Sequence, residues 1–129
     1  RVTHLHGELF KVRSTFDKDL VLDWKDDLNT GDFCEHNHQL RPHIVWFGEQ
    51  VPMLEVAVEK VQKADILIII GTSMQVYPAA SLIDYTPEDT PIYFIDPKPS
   101  IQSSTKIEVI AKNASVGVVN LVERLMHSK

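Results

Sequence analysis

Residues 66–70 read Ile-Leu-Ile-Ile-Ile and run straight into Gly71-Thr72-Ser73. A stretch that is apolar at every position has no polar face to offer water. Too short to cross a bilayer and closed by glycine, it fits a strand covered on both faces in the middle of a parallel sheet. Residues 92–96, Ile-Tyr-Phe-Ile-Asp, predict a second buried strand, and residues 107–111 a third.

Helical spacing lies between them. Val51, Leu54, Val58 and Val61 share one face, with Glu55, Glu59, Lys60 and Lys63 on the other, and Pro52 suits a first turn. A short helix is predicted over 78–85, a turn over 86–91, and a closing helix over 116–129 with Val118, Val122 and Leu125 inward and Asn113 or Ser115 as its cap. This rhythm predicts an open α/β sheet with flanking helices. A nucleotide-binding sheet of that kind has about six strands; three or four are legible here, so the chain reads as half a fold.

Residues 3–12 alternate loosely and predict a strand with His6-Gly7 at its terminus, which would put His4 and His6 on the same side. From Ser14 to Leu40 periodicity gives way to charge and turn formers, too long a stretch for a connector, and a small lobe is expected there. The net charge of −5, with 13 scattered Lys and Arg, argues against a nucleic-acid partner. The single cysteine excludes an internal disulfide and suits a reducing compartment, so a cytoplasmic location is expected.

Ligands of open α/β sheets bind beyond the C-terminal strand ends. At the first, Gly71 lets a ligand approach the backbone, and Thr72 and Ser73 offer hydroxyls and amides to phosphate or ribose; a plain strand exit has the same residues. At the second, Asp96 could accept from a ribose diol or serve as a turn residue before Pro97. Residues 45–49, Val-Trp-Phe-Gly-Glu, read as core packing or as a binding loop. His6 is the better candidate for a general base, set against an ordinary structural histidine. Cys34, His36 and His38 form one close group of soft donors, whereas a closed zinc site takes two separated pairs, which argues against zinc.

Taken in order, "HLHGEL", "LRPHIVWFGE", "ADILIIIGTSMQVYPAA" and "IDPKPS" resemble the sirtuin family of NAD-dependent protein deacylases, and "VLDW" brings the likeness nearest to its short bacterial branch. The resemblance covers nearly all of residues 3–127. It implies a Rossmann-like parallel sheet with flanking helices, residues 1–13 and 41–129 being its C-terminal half and 14–40 a reduced small lobe. It implies that His6 is the catalytic base. Val45 and Phe47 would contact the acyl-lysine substrate, and Gly48 and Glu49 would shape the backbone that pairs with the peptide. Gly71, Thr72 and Ser73, then Asp96, Pro97 and Lys98, and finally Ala114 would contact NAD.

The implied reaction moves an acyl group from a protein lysine to ADP-ribose and releases nicotinamide, NAD being consumed as co-substrate. Alternatives are a sirtuin-like NAD glycohydrolase and a non-catalytic NAD-binding or oligomerisation half-domain. Three departures matter. Aspartate stands at 96 where the family usually has asparagine, the four zinc cysteines are absent, and neither the Gly-Ala-Gly phosphate loop nor the Gln-Asn-Ile-Asp segment occurs. The chain is therefore expected to be the C-terminal half of such a protein, inactive by itself, with no nucleic-acid or membrane partner. Its uncovered apolar edge is expected to drive self-association.

Overall fold

The computed structural model describes residues 1–127; the last two residues of the predicted closing helix lie outside the described residues. The chain forms two compact units, Arg1–Met53 and Leu54–Lys129.

In the first unit, β1 (Gly7–Ser14), β2 (Val21–Asp23) and β3 (Leu40–Ile44) make an antiparallel sheet in the order β2-β1-β3. The predicted strand over 3–12 is displaced: residues 5 and 6 lie in a turn, the Gly7 amide donates to the His4 carbonyl at 3.4 Å, and β1 begins where the expected strand had its terminus. The cause is Gly7. Its φ of +85° turns the chain, and a Cβ built there would fall on the His43 carbonyl across the sheet. His4 and His6 therefore do not share a strand face.

The core of this unit is small. Val12, Cys34 and Leu40 are buried, and Leu20, Trp24 and Leu28 pack against them. Polar bonds hold the rest. The Ser14 hydroxyl accepts from the Phe16 and Asp17 amides. The Gln39 side chain donates to the Asn29, Asp32 and Leu40 carbonyls and accepts from the Gly31 amide. Such one-off contacts leave no repeating pattern, which is why residues 14–40 lack periodicity.

The second unit alternates helix and strand: α1 (Leu54–Val61), β4 (Leu67–Ile70), a 3₁₀ helix (Ala79–Tyr85), β5 (Ile92–Ile95), β6 (Ile107–Ile110) and α2 (Ala114–His127). The strands form a parallel sheet in the order β4-β5-β6. This is the α/β architecture that the apolar runs predict. The centre, however, is β5, whose Phe94 and Ile95 are fully buried. Among the described residues the run at 66–70 pairs with β5 only, and Ile66 is 42% and Ile70 45% exposed.

α2 also packs differently from its predicted face. Gly117 and Leu121 are buried and Val118 and Leu125 half-buried, while Val122 is exposed. A Cβ on Gly117 would lie 2.6 Å from Ile95 Cγ2, so the helix backbone itself rests on β5 and centres the buried face on the glycine. Among the described residues no helix is long and apolar enough to cross a membrane.

Candidate functional site

The candidate residues fall into two groups, one per unit. In the first, His6 is exposed at the end of the opening turn, and its carbonyl accepts from the Val45 amide at 3.0 Å. One backbone bond thus joins the histidine to the start of the Val45–Glu49 loop. His4, its neighbour, lies 3.7 Å from Glu8 instead.

The loop is clamped by its own last residue. Glu49 accepts from Arg41 Nη1 at 2.6 Å and Nη2 at 3.2 Å, from the Trp46 amide at 3.1 Å, and from Arg13 at 3.5 Å. The Arg41 hydrogen bond, followed by the Trp46 amide, holds the Glu49 carboxyl below the usual carboxylate range. With the Glu49 amide donating back to the Trp46 carbonyl, Phe47 stands at the tip, 97% exposed. An exposed phenylalanine on a pinned turn is available to a partner, not packed in a core. Sequence reasoning missed Arg13 and Arg41 as the clamp; the Arg-Pro of the loop motif was the signal available.

Beside this loop Val45, Leu5, Gly7, Ile44 and Met53 line a cavity of about 360 Å³, mostly apolar, with Arg13 among its polar members. His43 also lines it; burial and then the Arg13 charge push that imidazole below its ordinary pKa, and its Nδ1 is sealed without a partner.

The second group sits along the C-terminal ends of the parallel strands. The Gly71 amide donates to the Ile95 carbonyl at 2.9 Å and the Asp96 amide to the Ile110 carbonyl at 3.3 Å, so the strands exit in step. Gly71, Thr72 and Ser73 leave β4, Asp96, Pro97 and Lys98 leave β5, and Ala114 opens α2 after β6. The Thr72 hydroxyl accepts from the Met74 amide, and the Ser100 hydroxyl donates to the Ser73 carbonyl, tying the first exit to the loop after the second. Asp96 Oδ1 accepts from the Lys98 amide at 2.7 Å, so the turn reading holds for that oxygen. Apart from its two chain neighbours, no residue comes within 4 Å of the position a Gly71 Cβ would take, which leaves the backbone open on that side. The exits thus gather hydroxyls and a carboxylate along the C-terminal ends of one parallel sheet, where open α/β sheets bind their ligands.

The soft donors of the first unit are apart. Cys34 is buried with its thiol 3.7 Å from the Ser14 hydroxyl, His36 is exposed beside Glu35, and the His38 ring stacks on Phe16 at 4.5 Å. No group of three or more His, Cys, Asp or Glu that could hold a metal ion occurs among the described residues.

A parallel sheet with covering helices and polar strand exits, preceded in the chain by a small antiparallel sheet, defines an α/β protein of Rossmann-like architecture. The Sir2 family profile matches residues 1–78. The chain belongs to the Sir2 family. It is 49% identical over 127 residues to an NAD-dependent protein deacylase of Helicobacter pylori, covering 98% of this chain and 54% of that protein. A deacylase of Bacteroides thetaiotaomicron is 46% identical over 132 residues, covering 97% and 56%. Among solved structures, a Sir2 homologue in complex with NAD superposes with a TM-score of 0.79 at 30% identity, over 95% of this chain and 50% of that one. A Sir2 homologue variant with ADP-ribose superposes with a TM-score of 0.75 at 29% identity, over 98% and 54%. The chain thus spans about half the length of the curated relatives it matches.

Proposed function

We propose that this chain is the C-terminal half of a cytoplasmic NAD-dependent protein-lysine deacylase of the short bacterial branch, which transfers an acyl group from lysine to ADP-ribose. In this reading residues 1–13 and 41–129 belong to its NAD-binding domain, and 14–40 to a reduced small lobe. The observation that carries it is the row of Gly71, Asp96 and Ala114 along the exits of one parallel sheet, in a chain nearly half identical to deacylases.

NAD, when bound, would supply a labile bond between ribose carbon and nicotinamide, with nicotinamide as the leaving group. The chain's residues act around that bond. Gly71 leaves room for the ligand at the backbone, Thr72 and Ser73 bind with amides and hydroxyls, Asp96 accepts from the ribose diol, Pro97 and Lys98 complete that contact, and Ala114 flanks the adenine. His6 takes the proton from a ribose hydroxyl, work suited to an imidazole near neutral pH. Val45 and Phe47 line the acyl-lysine path and exclude water. The edge backbone at Gly48 and Glu49 pairs with the peptide as an added strand.

These 129 residues alone have little or no deacylase activity in this reading. The test uses a longer product that carries the coding sequence upstream of Arg1, assayed on an acylated peptide with NAD. Acyl transfer that depends on His6 supports the reading. Undiminished turnover in His6→Ala removes that residue from the mechanism, and nicotinamide release without an acyl acceptor assigns a glycohydrolase instead.

A further inference from the structure

Two hydroxyls hold one peptide unit in the turn that leaves β4. The Ser73 carbonyl accepts from the Ser100 hydroxyl at 2.7 Å, and the Met74 amide donates to the Thr72 hydroxyl at 3.2 Å. Both backbone groups belong to the planar Ser73–Met74 peptide, so its orientation is fixed from either side. Thr72 is a near neighbour in sequence, whereas Ser100 comes from the loop after β5, 27 residues on. Among the described residues no other hydrogen bond ties residues 72–75 to a distant part of the chain.

That peptide needs holding. Met74 has φ +54°, left-handed backbone that residues other than glycine rarely take. Rotation of the Ser73–Met74 peptide about the bonds on either side would return Met74 to negative φ and reverse the carbonyl and the amide together. The relaxed turn is therefore a different turn, with its polar groups presented differently at the rim. Ser100 opposes the change from outside and Thr72 from within. A hydroxyl that accepts from an amide keeps its own hydrogen to donate, so Thr72 in this arrangement still offers a donor to a ligand.

We propose that Ser100 is a positioning residue for NAD: its hydroxyl holds the Ser73–Met74 peptide in the orientation in which Thr72 and Ser73 bind the dinucleotide. The inference rests on the NAD reading of these strand exits and adds a residue that acts through Ser73 rather than by contact with the ligand. Ser100 joins the two exits that one dinucleotide would bridge. Its own loop begins at Asp96, whose Oδ1 accepts from the Lys98 amide, and its hydroxyl reaches back to the exit of β4. A rim joined in this way meets its ligand already ordered, so the entropy of ordering is lost on folding and not on binding. Ser100 thus controls affinity for NAD and not the chemical step.

Steady-state kinetics of the longer product, with NAD and an acylated peptide, tests it. Ser100 is exposed, so Ser100→Ala empties no core. That change is expected to raise KM for NAD roughly threefold to tenfold, the usual worth of one hydrogen bond, with kcat and KM for the peptide unchanged. Ser100→Thr keeps a hydroxyl and restores the parent value. In the same protein without NAD, hydrogen exchange at the Met74 amide quickens in Ser100→Ala, a readout that needs no turnover. A residue that served stability alone would instead lower the thermal midpoint and shift kcat and both KM values together, and that result overturns the proposal. So does a Ser100→Ala protein that turns over with the parent KM for NAD, or one in which exchange at Met74 is unchanged. A longer product that neither binds nor consumes NAD overturns the NAD reading itself, and this assignment with it.

Discussion

The Val45 amide donates to the His6 carbonyl at 3.0 Å, so the proposed base and the first residue of the proposed acyl-lysine loop share a backbone bond. The side chain of His6 is not needed for that bond and is itself exposed. Chemistry and folding are therefore separable at this position. In the longer product, His6→Ala is expected to lower kcat/KM roughly 10²- to 10⁴-fold, the usual worth of a general base, with the thermal midpoint unchanged. Steady-state kinetics beside a melting curve checks both halves of the statement.

Glu49 holds its loop through Arg41, Arg13 and the Trp46 amide, and its carboxyl is held below the usual carboxylate range. A depressed folded-state pKa stabilises above the unfolded value, and that contribution is lost as pH falls through the folded value. Glu49→Gln should therefore melt below the unsubstituted chain at neutral pH. The gap should close as the solution is acidified below the ordinary glutamate pKa of about 4.3. Melting curves of the two proteins from neutral to acid pH measure it. A gap that persists in acid assigns the loss to geometry and not to charge.

Gly7 has φ +85°, with the His43 carbonyl where a Cβ would go. Gly7→Ala should destabilise the first unit by at least the ~1–3 kcal/mol of a residue held in disfavoured backbone space. Trp24 and Trp46 both lie in that unit, so denaturant unfolding followed by tryptophan fluorescence reads it directly.

Burial opposes the Cys34 thiolate, but the His38 amide, the Ser14 hydroxyl and the His36 amide outweigh it and hold the thiol below its ordinary pKa. Ser14→Ala removes the hydroxyl, so the thiol pKa should rise and alkylation at neutral pH should slow. The same change leaves the Phe16 and Asp17 amides without their acceptor, which loosens that turn although both residues are exposed and water can replace the hydroxyl. Alkylation rate against pH separates the two effects. A faster reaction at every pH indicates loosening of the lobe instead.

The strands at 92–95 and 107–110, both α-helices and the polar strand exits could be read from the chain because each depends on local periodicity or on residues adjacent in sequence. The expectations that failed share a different cause. Residues 3–6 look like the start of a strand, yet Gly7 turns the chain there, with the His43 carbonyl of another strand where its Cβ would be. Val122 looks inward, yet Gly117 lets α2 settle closer on β5 and rotates the buried face.

The order of chemical groups along the chain was sufficient to identify the family and to nominate His6, the Val45–Glu49 loop and the residues at the strand ends. Tertiary structure decided which partners those groups have: Arg13 and Arg41 on Glu49, Val45 on His6 and Ile95 on Gly71. The physical reason is range. Propensity and amphipathic spacing act over a few residues, whereas hydrogen bonds and edge pairing join atoms far apart in sequence and take effect only once the backbone has brought them within about 3 Å.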